Sequence, residues 1–329
     1  MAFYYDTEKI EGQTAFLLGY TKEKNGDHSV LVKVSPSLGN NVYCFRVDEY
    51  EVIHYDTYFS LKSYYTGNPV LYPFPNRLRN CFYEFNGVQH WQQKHGIPVF
   101  MHSLVYDESW QYKEPVVTAD SVQLETWLSI TPRHPVFEGF PFVHTLRIVW
   151  TITRTGFSVT YKIENQGNAE LPYGISYHTF FKKLCGDRGS YICVPAKYMM
   201  ELTDDLLPTG RLLDVEGTDF DLRVPVSPEK LTLDNCFTGL ETQKRTFVEY
   251  PAIGLRVYMD ATEDFTHMQV FTPKGKPFFC VERQTCSTDA VNLDNKGFKK
   301  ESHILTVPPK EQRSGTVQFI YQFTKQKEI

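Results

Sequence analysis

Residues 145–153 read TLRIVWTIT and residues 157–164 read FSVTYKIE, with Arg154-Thr155-Gly156 between them. In an extended chain successive side chains point to opposite faces. Leu146, Ile148, Trp150 and Ile152 therefore share one face, with Thr145, Arg147, Thr151 and Thr153 on the other. Phe157, Val159, Tyr161 and Ile163 repeat the pattern against Ser158, Thr160, Lys162 and Glu164. Two such runs across a glycine-containing turn predict an antiparallel hairpin. Outward from it, VQLETWLSI (122–130), LRVYMDA (255–261) and GTVQFIYQF (315–323) alternate in the same way. Turn pairs recur between such runs at Asn25-Gly26, Asn86-Gly87, Thr155-Gly156, Gln166-Gly167 and Lys274-Gly275. Amphipathic helical segments beyond about 12 residues and a βαβ rhythm are both missing. The expectation is an all-β fold, a large antiparallel sandwich or barrel.

At 329 residues, a length prior of about 150 residues per domain suggests two units, but large β folds often exceed about 200 residues as one. No linker-like stretch or internal repeat divides the chain. We expect one β domain over residues 1–329, with a small N-terminal subregion before about residue 20 as the alternative. Aromatic residues make up 15% of the chain and the formal net charge is −5. That aromatic content excludes a disordered chain, and the lack of a basic block argues against a nucleic-acid partner. No window approaches the roughly 18 consecutive apolar residues of a membrane span, so no membrane partner is expected. MAFYYDTEKIEG has neither the basic nor the apolar region of a signal peptide. The seven cysteines, Cys44, Cys81, Cys185, Cys193, Cys236, Cys280 and Cys286, are odd in number and show no CxxC spacing. They read as reduced thiols and point to the cytoplasm.

Four segments place polar residues in apolar or turn-rich surroundings. PFPNRLRN offers Arg77 and Arg79 beside Asn76 and Asn80, two rigid donor forks for an oxygen-rich ligand or for a structural carboxylate. His95-Gly96 precedes an aromatic stretch that ends at Trp110. His178, in GISYHTFFKKL, sits in aromatic packing that can tune an imidazole for acid–base work or simply bury it. Glu282, in GKPFFCVERQTCSTDAVN, falls on the strand face of Phe278 and Cys280, and Arg283 points the other way. A carboxyl buried there is raised in pKa by desolvation and is costly unless used or paired. Asp289 and Asn292 follow in a loop suited to capping, turning or ligand binding. Zinc-protease, phosphate-loop, dinucleotide and serine-nucleophile motifs are all missing. His95 and His102 would make two metal ligands, but no companion spacing completes a set, so neither metal nor other cofactor is expected.

In this order, NRLRN before an Asn-Gly turn, His95-Gly96 with Trp110, His178 before Thr-Phe-Phe, Leu233-Asp234-Asn235-Cys236-Phe237 and VERQTCSTDAVN resemble the aldose 1-epimerase (galactose mutarotase) family. The resemblance runs from about residue 70 to 295. It implies a large antiparallel β-supersandwich with a sugar cleft and interconversion of the α and β anomers of a free hexose. By the same resemblance Glu282 and His178 are the catalytic pair, and Arg77, His95 and Asp234 bind the sugar. Many relatives carry His-Pro-Tyr where this chain has His178-Thr179-Phe180. The spacer from His95 to Trp110 is also longer than in compact relatives.

The implied chemistry has Glu282 taking the anomeric hydroxyl proton while His178 donates to the ring oxygen, the two lying on opposite sides of the hemiacetal. Three other readings stand beside it. One is an epimerase for a hexose 6-phosphate, with Arg79 or Arg283 meeting the phosphate. The second is a non-catalytic carbohydrate-binding module. The third is a polysaccharide lyase or hydrolase, which would need an open groove.

Overall fold

The computed structural model describes residues 2–23, 26–184 and 189–324. Strands His144–Thr153 and Gly156–Asn165 pair antiparallel, with Ile148 opposite Tyr161 and Trp150 opposite Val159. All eight alternating apolar side chains of this hairpin are buried. Gly156 closes the turn at φ 137, and a Cβ there would stand 2.0 Å from the Phe319 carbonyl oxygen. No other residue type fits that approach of the neighbouring strand.

The hairpin forms the middle of a nine-stranded antiparallel sheet. Val122–Ile130 flanks it on one side and Gln312–Phe323 on the other, followed by Leu255–Ala261, Thr246–Tyr250 and Tyr191–Cys193. A second, eight-stranded sheet runs Pro208–Asp214, Ala196–Leu202, Asp234–Leu240, His267–Phe271, Phe278–Gln284, Ser176–Tyr177 and Val70–Leu71, and Phe180–Lys182 also pairs with Phe278–Gln284. The two sheets face each other through aromatic contacts. Trp150 meets Tyr177 at 6.3 Å between ring centroids, and Phe265, in the turn before His267–Phe271, meets Tyr161 at 6.0 Å.

The N-terminal region reaches well past residue 20. Five strands from Phe3–Ile10 to Tyr50–Glu51 form their own sheet in sequential order. It is tied to the hairpin by the edge-on packing of Phe45 on Phe157 at 5.0 Å and by Trp150 Nε1 donating to Asn40 Oδ1 at 3.2 Å. One apolar cluster runs through this sheet and the two larger ones. The α-helices among the described residues are Ala290–Asn295 and Lys299–Ser302. The six described cysteines are free thiols, and Cys185 lies outside the described residues.

Strand Phe278–Gln284 decides where chemistry can occur. Phe279, Val281 and Arg283 turn into the sandwich, where Phe279 stacks on Phe181 at 5.8 Å. The Arg283 Nε and Nη2 donate to the Met259 carbonyl of the facing sheet at 3.1 and 2.7 Å. The alternate residues Phe278, Cys280 and Glu282 therefore lie on the sheet's other face.

Candidate active site

That outer face floors a cleft of about 550 Å³, in the range of small-molecule sites. Three adjacent strands each contribute one polar side chain. Gln269 pairs directly with Glu282 across the ladder, and Asp234 pairs with Phe271 two residues further along. His178 enters from the break between two short strands that both pair with the Glu282 strand, Ser176 opposite Gln284 and Phe180 opposite Cys280. Its backbone N–H leaves the ladder and donates to the Pro69 carbonyl at 3.0 Å.

His178 Nδ1 lies 3.4 Å from Glu282 Oε1, with the two side chains 8% and 3% exposed. The expectation that they stand on opposite sides of a substrate is corrected: they touch on one floor. The imidazole is fixed by stacking on Phe180, 4.5 Å between centroids at 9°. His102 packs edge-on against it at 4.9 Å. Arg77 Nη2 donates to Asp234 Oδ2 at 3.0 Å and Nη1 to Asn76 Oδ1 at 3.0 Å. Gln269 Nε2 donates to the other Asp234 oxygen at 2.8 Å.

The loop carrying Arg77 is held from outside the cleft. Asn76 and Asn80 take left-handed φ values of 62° and 55°, which asparagine tolerates well. Buried Asp289 accepts from the Arg79 backbone N–H at 3.0 Å and from Asn292 Nδ2 at 2.7 Å, while its own N–H donates to the Arg77 carbonyl at 3.1 Å. Asp289 therefore fastens the loop and does not line the cleft.

Burial sets the protonation of the floor. The Glu282 carboxyl titrates well above the ordinary carboxylate range because it is desolvated and because Asp234 adds negative charge nearby. His178 is pushed down to about 3 by desolvation. His102 is lowered as well, by burial first and then by His178 and Arg77. Burial thus favours the uncharged form of each partner, the Glu282 carboxyl and the His178 imidazole, over the ion pair. His178 Nδ1, His102 Nδ1 and Gln269 Oε1 are buried without a hydrogen-bond partner among the described residues. Unpaired buried groups gathered round one cleft suit a ligand rich in hydroxyls.

Of the residues expected from sequence, Glu282, His178, Arg77 and Asp234 come together here. His95 does not. It occupies the exposed turn between Gln93–Lys94 and Ile97–Pro98, with φ 53 at His95 and 72 at Gly96. Paired positive φ values are what a tight hairpin demands, so His95-Gly96 is turn chemistry. His102 takes the place in the cleft expected of His95. Its segment is brought in by a bridge from Met101 to Arg77, and its own φ is 57. Trp110 is buried, its Nε1 donating to the Val105 carbonyl at 3.4 Å. Neither arginine suggested for a phosphate reaches the cleft: Arg79 lies beside Asp289 at 3.5 Å, and Arg283 faces into the sandwich. Exposed Lys276 lines the cleft as a second cationic side chain beside Arg77. Gln269 was missed because an amide within a strand run carries no local signal; only its pairing with Glu282 exposes it.

The family model described as aldose 1-epimerase matches residues 32–319. The Escherichia coli (strain K12) protein YihR is 25% identical over 228 residues, 68% of this chain and 71% of its own length. Among solved structures, a galactose mutarotase-like protein from Clostridium acetobutylicum superposes with a TM-score of 0.82 at 16% identity, over 98% of this chain and 99% of that one. A galactose 1-epimerase from Lactobacillus acidophilus superposes with a TM-score of 0.72 at 13% identity, over 97% and 98% of the two chains.

Proposed function

From the premise that this chain belongs to the aldose 1-epimerase family, with its β-supersandwich fold, we propose that it interconverts the α and β anomers of a free hexose. The observation that carries this is the buried contact of His178 Nδ1 with Glu282 Oε1 at 3.4 Å beside the Arg77–Asp234–Gln269 array.

The two oxygens that exchange protons in mutarotation, the anomeric O1 and the ring O5, share one carbon. Two catalytic groups in contact on one floor suit two oxygens on one atom. In ring opening the O1 proton passes to the Glu282 carboxylate while His178, protonated, donates to O5 as the C1–O5 bond breaks. The aldehyde rotates about C1–C2. On closure O5 attacks C1, His178 recovers the O5 proton and Glu282 returns its proton to O1. The pair holds a single proton throughout, so no net charge enters or leaves a desolvated floor at any step. The tautomer favoured by burial, with the proton on Glu282, is the one that accompanies the open-chain sugar. Sugar hydroxyls donating to Glu282 favour its carboxylate, the form that ring opening needs. Arg77, Asp234, Gln269 and His102 bind ring hydroxyls and keep the aldehyde in place while it rotates.

The test is polarimetry or proton exchange spectroscopy on freshly dissolved α-D-glucose and α-D-galactose. The expected result is anomer exchange that scales with protein concentration. Sugar binding without rate enhancement would refute the proposal and leave a carbohydrate-binding module. Lys276 on the rim favours one second reading, a phosphorylated hexose. A higher kcat/KM for hexose 6-phosphate than for free hexose would establish it.

A further inference from the structure

We propose that the cleft floor is also a binding site for a thiophilic divalent cation of the zinc class, held by His178, Cys280 and Glu282, and that the bound ion blocks the acid–base pair. The blocking rests on the isomerase reading; the binding does not. Cys280 and Glu282 stand two residues apart on strand Phe278–Gln284 and project from the same face. His178 is brought against them by the adjoining strands, in which Phe180 pairs with Cys280. One donor atom from each residue lies within 4.8 Å of the other two, and all three residues are buried.

The spacing fits a tetrahedral ion. At ordinary zinc bond lengths a nitrogen and an oxygen ligand stand about 3.4 Å apart, and His178 Nδ1 is 3.4 Å from Glu282 Oε1. A sulfur ligand would stand about 3.6 Å from the nitrogen, so an inward shift of about 1 Å completes the set. Nδ1 has no hydrogen bond to give up on binding, since it is unpartnered among the described residues. A thiolate, a carboxylate and a neutral imidazole balance a dication, so the occupied floor would carry no net charge into a dry site. The mixed sulfur and imidazole set selects zinc-like ions over magnesium or calcium. The open side of the cleft leaves the fourth position to water or a sugar hydroxyl. On binding, the thiol proton and the proton shared by the pair pass to solvent.

Cobalt titration of the full chain, followed by absorption, tests the binding. Thiolate ligation should give a sulfur-to-cobalt charge-transfer band in the near ultraviolet, together with tetrahedral visible bands. Cys280→Ser should lose the band and bind cobalt at least tenfold more weakly. Cys280→Ala serves the same purpose if a hydroxyl at this dry position upsets folding. Zinc should inhibit the wild-type protein competitively with sugar, at least tenfold less effectively in the variants. A wild-type protein without the band at saturating cobalt overturns the proposal, as does a band that survives in both variants. Cobalt ligation by Cys280 with a zinc-insensitive rate overturns the blocking. Cobalt ligation in a protein that does not accelerate anomer exchange upholds the metal site and refutes the isomerase reading.

Discussion

Glu282→Gln separates the chemistry of the cleft from its architecture. The amide keeps the shape of the carboxyl but can neither accept the O1 proton nor return it. A positioned acid–base group contributes about 10²- to 10⁴-fold to rate, or roughly 3–5 kcal/mol of barrier, and anomer exchange should fall by that factor. Stability should move the other way. Burial and the nearby charge of Asp234 raise the Glu282 carboxyl in the folded state. For a carboxyl with a raised folded pKa, the stabilisation is fully present below the unfolded pKa. It is lost at about 1.4 kcal/mol per pH unit as pH climbs toward the folded one. The amide has no such slope, so the variant should gain on the wild type as pH rises above the ordinary carboxylate range, by about 2 °C in Tm per pH unit. Polarimetry and thermal melts across pH measure both quantities. Residual activity above a tenth of wild type refutes the catalytic role of Glu282. A Tm difference that does not change with pH refutes a carboxyl held neutral by burial.

Replacing His95 by alanine should leave kcat/KM within twofold of wild type, since the residue lies in an exposed turn. His102→Ala should lower it at least tenfold, and the reverse ranking would overturn the placement of His102 in the sugar site. The pH profile of kcat/KM should be bell-shaped, its acid limb near the His178 value of about 3 and its basic limb well above the ordinary carboxylate range. Limbs at ordinary histidine and carboxylate values would show the pair to be solvated. Arg77→Met removes a charged hydrogen bond to Asp234, and with its sugar contacts about 2 kcal/mol of binding, so KM should rise some thirtyfold with a smaller change in kcat. Asp289→Ala should reproduce part of that KM increase without touching the cleft, because it releases the loop that aims Arg77.

Legibility in the sequence followed burial. The hairpin 144–165 could be read because one face of each strand meets the core and the other is at least partly exposed, which writes period two into the residues. The N-terminal strands resisted the same reading. Val30–Ser35 and Asn41–Val47 are buried along almost every position, so their apolar runs do not alternate and their sheet passed for a short appendage. The site divides along a similar line. Glu282 was visible as a charge inside the apolar run Phe278–Val281, and strand alternation correctly sent Arg283 to the far side. Cys280 and Glu282 also share a face by spacing alone. What brings His178, Asp234, Gln269 and His102 to that face is strand register and one bridge from Met101 to Arg77, pairings between residues far apart in the chain. No local pattern encodes them. His95 and His102 are both histidines with positive φ, seven positions apart. The glycine after His95 favours a two-residue turn that ends on solvent, whereas the segment of His102 is drawn beneath Tyr64 and against His178. A histidine beside glycine is therefore evidence for a turn before it is evidence for a site, and the acid–base pair is identified by the dry contact it makes, which only the folded sheet creates.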